Sequence, residues 1–448
     1  MLNKKLIFLL IATISIMGIA ACTAGGNTRD WDEHTLVYAN LSKDGPDREA
    51  IDTFNRTHED VQIEVRDYYD EDGNSSKARL LTDLLAGKAP DIIDMGGRAD
   101  VSTTLLPYRQ MVQKGYLENL WPYIENDPEL GREAVLEAPL KAAEVDGGLY
   151  TAFSDVIVNT LIGAESLVGN RSSWSLEELR ETFGSMPPGA TVLQPFFDRS
   201  TAFFYLFCMQ LDDYVDWKTG QCSFDCEEFR ASLEFVNDFF PKTVDNLSEA
   251  TMRDMFERMK SGQQMLMQTM FSHLLEVQYY DYLFGGQASF IGYPVEDGSV
   301  GSTFYICSRK LAMSSSCQNK EAAWEFIRQM YLPRYNRTTI CNADGADFIH
   351  INRADYELLK RADKSDPPRL YVAKLPDGSQ YEYHRATGEE SQRYDDFINN
   401  IDKMELCDSE IFDIVSDASG PYFAGDKTLE ETVKLVQNRV TLYVNENK

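Results

Sequence analysis

The chain has 448 residues, 43% of them apolar, enough for two or three ordinary domains with packed cores, which excludes a disordered tail. A formal net charge of −29 opposes the basic footprint that phosphate contacts need, and nucleic acid is excluded as a partner. Charges of both signs are scattered through apolar periodic segments without low-complexity runs or a short repeat, the pattern of a solvated globular surface.

In chain order, Lys4 and Lys5 precede an apolar stretch from Leu6 to Met17 that is too short for a comfortable membrane span. Residues 1–21 read as a signal peptide. Its end, Ile19-Ala20-Ala21-Cys22, resembles a lipobox, which makes Cys22 the lipidated first residue and places the protein on the extracytoplasmic face of a cell membrane. Residues 22–33 then form the lipidated cysteine and a small, polar tether. A secreted protein in which Cys22 is incidental is the plainer alternative. Of the remaining cysteines, Cys222 and Cys226 are four apart and are the pair most favoured for a disulfide, the alternative being free apolar thiols.

Thr35 to Ala39 is a short apolar strand, and Asp44-Gly45-Pro46 supplies a cap and a first-turn proline for a helix carrying Ala50, Ile51 and Phe54. Val61, Ile63 and Val65 alternate with polar residues as a half-buried strand. Ser75 caps a helix with Leu80, Leu81, Leu84 and Leu85 on one face, Gly87 stops it, and Pro90 to Asp94 starts another strand. Strand–helix alternation of this length predicts a parallel sheet covered by helices. Leu149 to Leu161 is rich in β-branched and aromatic residues. Ser175 with Glu178 is a capping box, with Trp174 beside it as a staple, and Asn319 caps an apolar-striped helix through Met330. Leu429, Val433, Val436, Val440 and Tyr443 mark a long terminal helix.

Catalytic and metal signatures are weak. Gly420 to Thr428 resembles a phosphate-binding loop, but Asp426 intrudes where phosphate would sit. A calcium loop centred on Gly73 would have Tyr68 and Arg79 at its first and twelfth ligands, so the acidic run is read as a turn. The five histidines are widely separated, and no HExxH, C-x-x-C or GxSxG is present. No cofactor, no metal and no enzyme activity are expected. Paired carboxylates of a glycoside hydrolase remain the alternative, because chain spacing says little about pairing in space.

Cys22, Thr35 to Arg66, Leu84 to Ile93, Gly148-Leu149-Tyr150, Trp174 to Leu179, Phe290 to Pro294, Lys320 to Met330 and Gln437 to Tyr443, in that order and spacing, resemble family 1 extracellular solute-binding proteins. These are lipid-anchored sugar-binding components of ABC importers related to maltose-binding protein. The resemblance implies an α/β, two-lobed periplasmic-binding-protein-like (type II) fold with a hinge and an interlobe ligand cleft. It places the N-terminal lobe at 34–152 plus 288–332 and the C-terminal lobe at 153–287 plus 333–448. Residues 332–406 match no recognised pattern. The implied ligand is a carbohydrate, an oligosaccharide above others, delivered by lobe closure to ABC permease subunits by a monomer; a peptide or other non-sugar solute is the alternative.

Ligands of open parallel sheets bind beyond the carboxyl ends of the strands. That selects the loops after Thr35–Ala39 and Ile92–Asp94, with Asn40, Lys43 and Asp44 in the first and Arg98 and Asp100 in the second. By resemblance the first loop matches the family's hydroxyl-binding loop, and Arg98 lies near its second-loop charges. Asp198 and Arg199 follow an aromatic stretch, Phe271 sits near the position of a stacking ring, and Tyr293 precedes Pro294 in a strand-end turn. These complete the expected ligand-binding set; solvated loop charges and core rings are the alternative.

Overall fold

Strand β1 (Thr35–Asn40) is a continuous apolar run because both of its faces are covered. Leu36 and Tyr38 point into one core and Ala39 into another. The structure, a computed structural model, describes residues 31–41, 47–69, 76–96, 108–244, 249–334, 348–370, 372–375, 378–405 and 409–447. β1 lies between β2 (Gln62–Asp67) and β3 (Ile92–Asp94), parallel to both, and β10 (Leu311–Met313) closes the sheet antiparallel to β3. The intervening helix Arg48–Thr57 is capped by Asp47, whose side chain accepts from Ala50 N at 3.0 Å. The cap is therefore Asp47 and not the expected Asp44, because a side chain three residues before Ala50 reaches its free N–H. The helix Lys77–Leu85 follows Ser76 and ends before Gly87, whose φ of 72° is one that glycine adopts without strain.

The second sheet is built on β4 (Asp155–Ala164), with β7 (Leu266–Phe271), β8 (Ala288–Phe290), β9 (Thr303–Ile306) and β11 (Ile349–His350) antiparallel to it. β14 (Lys403–Met404) runs parallel to β9. Two hairpins stand apart, β5 (Val215–Asp216) with β6 (Gln221–Cys222) and β12 (Val372–Lys374) with β13 (Gln380–Glu382). The expected caps are in place: Ser175 and Glu178 form the full capping box, and Asn319 accepts from Ala322 N at 3.1 Å. Cys222 and Cys226 are free thiols, not a disulfide.

A second core, from Leu161 to Val444, joins the helices Leu176–Gly184, Arg199–Phe207 and Glu227–Phe239 to the terminal helix Leu429–Asn447. The segment 349–404 does not join it. Ile349, Tyr356, Tyr394, Phe397 and Met404 pack in the first core with Leu36, Val156 and Phe304, because β11 pairs with β4 and β14 with β9. The segment thus packs on β4 and Phe271, which the expected C-terminal lobe shares with it, and not on the terminal helices. Among the described residues no helix is long and apolar enough to cross a membrane, and no group of His, Cys, Asp and Glu could hold a metal ion.

Candidate functional site

Alternation gives the second sheet two unlike faces. Val156, Val158, Ile162, Phe271, Phe304, Ile306 and Met404 point into the first core. The opposite face therefore carries Asp155, Ile157 and Asn159 of β4, Thr303 and Tyr305 of β9, Gln268 and Met270 of β7, and Lys403 with Glu405 beside β14. Register places Asn159 opposite both Met270 and Thr303, and Leu161 opposite Gln268. The side-chain oxygens of Asn159 and Thr303 are buried without a hydrogen-bond partner in the protein. A polar guest or an ordered water would satisfy both atoms.

Glu405 is held there by Asn159 Nδ2, which donates to its Oε2 at 2.7 Å, and by its own N–H, which donates to Phe304 O at 2.8 Å. Burial pushes its carboxyl up to about 7, against the pull of Asn159 and Lys310. Burial likewise pushes the Lys310 ammonium down to about 8, with Glu405 and Asp94 pulling it up. A carboxyl that keeps its proton to about pH 7 when folded, but releases it near 4.3 when unfolded, adds stability that is whole below about pH 4 and is lost as pH rises through 7. The wild type is accordingly expected to lose stability against Glu405→Gln between about pH 5 and about pH 8 in urea denaturation. A stability difference independent of pH would contradict this.

Lys310 and Arg309 belong to the segment between β9 and β10, which leads to the carboxyl edge of the first sheet. Met95 N donates to Lys310 O at 2.8 Å, and Lys310 N to Gly96 O at 3.1 Å. Asp94, at the end of β3 and 1% exposed, accepts from Tyr38 OH at 2.8 Å, from Gly96 N at 3.1 Å and from the Arg309 guanidinium. Burial, with the Asp94 carboxylate beside it, holds the Tyr38 hydroxyl well above its ordinary pKa. At the other end of the polar face, Asp155 accepts from Ser154 Oγ at 2.6 Å and Arg334 Nη1 at 3.0 Å, and pairs with His350. Burial works against its ionisation, but His350 and Arg334 outweigh burial and hold its pKa below the usual range.

The segment before the helix Arg199–Phe207 contributes a side-chain amide and a ring. Gln194 Nε2 donates to Gln268 O at 3.0 Å, while Gln268 N donates to Gln194 Oε1 at 3.2 Å. Phe196 is half-buried and packs on both the first and the second core, at the seam between them.

Of the residues expected from sequence, Asn40 stands at the carboxyl edge of β1, but its side chain is fully buried and donates to Asp67 Oδ1 at 2.7 Å. Lys43, Asp44, Arg98 and Asp100 lie outside the described residues. Asp198 and Arg199 are used within the fold. Asp198 caps its helix through Thr201 N at 2.9 Å, and Arg199 donates to the carbonyls of Asn237, Phe240 and Phe423 at 2.7–3.1 Å. Phe271 is a core ring, 0% exposed, against Phe290 at 4.8 Å and Phe397 at 5.4 Å. The alternation of β7 turns Phe271 inward and leaves Met270 exposed. Tyr293 is likewise buried, in the second core. Sequence reasoning missed Asn159, Gln194, Phe196, Arg309, Lys310 and Glu405. The adjacent cations between two short apolar strands were a usable signal for Arg309 and Lys310, as was the polar face of Asp155 and Asn159 within an apolar strand.

No family model and no curated protein matches this sequence. Among solved structures, the chain is similar to the sugar-binding protein MalE from the phytopathogen Xanthomonas citri, with 16% identity, 92% of this chain and 98% of that chain covered, and a TM-score of 0.52. The fold is that of a solute-binding protein. An extracellular solute-binding protein family 1 from Alicyclobacillus acidocaldarius aligns over 92% of this chain and 98% of its own at 14% identity, with a TM-score of 0.49.

Proposed function

We propose that the protein captures an uncharged carbohydrate, an oligosaccharide above others, in the cleft between its lobes and hands it unchanged to the permease subunits of an ABC importer. It acts as a monomer held by lipid at Cys22 on the extracytoplasmic face of the membrane. The observation that supports the reading is a balanced polar sheet face in a chain of net charge −29: Arg309 pairs with Asp94, Arg334 pairs with Asp155, and the Asn159 amide donates to Glu405. Paired charges and amides offer donors and acceptors to hydroxyls without attracting an ion. Phe196 at the seam, with Met270, supplies the apolar surface on which a sugar face can rest. The name of the similar structure at a TM-score of 0.52, a sugar-binding protein, agrees with this reading.

A melting-temperature screen of the purified protein against neutral and acidic saccharides, amino acids and short peptides tests it. A ligand at about 100 times its Kd adds about 2.7 kcal/mol of stability, an easily read shift. The expected result is a saturable rise with one class of neutral saccharide, recovered intact. A shift with peptides or amino acids alone, or recovery of a cleaved saccharide, would overturn the proposal.

A further inference from the structure

Two hairpins remote in sequence meet tip to tip. The first is the two-residue loop Asp146-Gly147, closed by the bridge between Val145 and Gly148, with N–H···O bonds of 2.9 and 3.0 Å in both directions. Both loop residues have positive φ, 52° at Asp146 and 78° at Gly147. This is the Asp-Gly turn whose backbone twist matches the flanking strands. Asp146 is the non-glycine residue held in that region among the described residues, and Val145 anchors the hairpin in a third core, the one that holds Ala39 of β1 and Ile93 of β3.

The second tip is the turn between β5 and β6. Asp216 Oδ1 accepts from Lys218 N at 2.9 Å and Thr219 N at 3.1 Å, which fixes the loop, and Trp217 anchors it in the second core. Lys218 Nζ then donates to Asp146 Oδ1 at 2.8 Å. A second ion pair crosses the same gap: Arg109, on the helix Tyr108–Gln113 packed in the third core, has its Nε 3.4 Å from Asp212 Oδ2 in the turn next to the β5–β6 hairpin. Among the described residues, these are the ion pairs that join residues 31–152 to residues 165–300 directly.

We propose that the pairs Asp146–Lys218 and Arg109–Asp212 form an interlobe clasp that holds the cleft closed and sets solute affinity from outside the binding surface. The proposal deepens the capture reading, since a clasp biases affinity only in a protein that closes on a solute, yet its first test needs no solute. The four residues are positioning residues: they touch the opposite lobe, not the ligand. Both partners of the hairpin pair are half or more exposed, at 61% and 50%, so salt screens it. An exposed pair of this kind changes a closed-to-open ratio by about two- to five-fold, and a solute that binds the closed form feels the same factor once the open form dominates.

The test is small-angle scattering of the full protein without ligand, at low and high salt. Wild type is expected to show a larger radius of gyration at high salt. Asp146→Asn, which keeps a residue tolerant of positive φ while removing the charge, is expected to open the protein at low salt. Lys218→Glu is expected to open it further by setting two carboxylates against each other, and adding Asp146→Asn to Lys218→Glu to close it part of the way back. Glu430→Lys, which reverses an exposed pair with Arg230 inside the second lobe, is the control and is expected to leave the radius unchanged. Circular dichroism melts confirm that each variant is folded. A radius insensitive to salt and to Lys218→Glu, or a double variant as open as Lys218→Glu alone, overturns the clasp whatever the ligand proves to be. If the clasp holds and no saccharide shifts the melt, the capture reading fails alone.

Discussion

Replacing Arg309 by alanine is expected to cost about 3 kcal/mol of folding stability, the scale of breaking a buried charge pair from one side. Asp94 is 1% exposed and sits at the last position of β3, where it cannot turn toward water without leaving the sheet. Without the guanidinium its carboxylate would keep only the Tyr38 hydroxyl and the Gly96 N–H among the contacts described above. Tyr38→Phe removes one neutral donor and is expected to cost about 1 kcal/mol, because the ion pair survives it. Urea denaturation of the two variants and their combination measures both costs and their coupling. An Arg309→Ala protein within about 1 kcal/mol of wild type would show that water solvates Asp94 and that the pair is not what fixes the crossing segment to the first sheet. Solute affinity is expected to fall with the same substitution, since Lys310 is the next residue and its backbone holds Met95 and Gly96.

A large effect of a single added methyl group is expected at Gly301. Gly292 and Gly301 face each other across a parallel bridge just before β9, and Tyr293 N donates to Gly301 O at 2.8 Å. A Cβ on Gly301 would overlap the backbone oxygen and nitrogen of Tyr293, and one on Gly292 would overlap Gly301 itself. Backbone cannot swing aside as a flexible side chain does. Gly301→Ala must therefore part the two segments and lose their hydrogen bonds, a cost of about 3 kcal/mol, at the upper end of overpacking penalties. Gly286→Ala, where an added Cβ meets nothing within 4 Å, is the control and is expected to change stability by less than about 0.5 kcal/mol. Comparable melts for the two variants would mean that the crossing can widen freely.

Much of the fold was legible because it is written locally. The first strand, the leucine face of the helix Lys77–Leu85 and the caps at Ser175 and Asn319 all follow from periodicity and short-range hydrogen bonding. The site was much less legible. Phe271 carries the same sequence signal whether it stacks on a ligand or fills a core, and only the strand register distinguishes the two. Asp198 and Arg199 look like a loop charge pair, yet one is a helix cap and the other ties three carbonyls from distant parts of the chain. Glu405 meets Asn159 across 246 residues, from a segment with no recognised pattern, and no local rule points from one to the other. Sequence spacing specifies helices and turns; the polar sheet face arises from sheet pairing between remote segments.

The membership of the first core also sets how the molecule can come into being. Leu36 and Met404 belong to one packed cluster, and β14 adds to β9 only after almost the whole chain exists. The second core closes just as late, with Val444. Neither of these two cores is therefore complete until its late strand or helix has docked, and contacts over such separations form slowly.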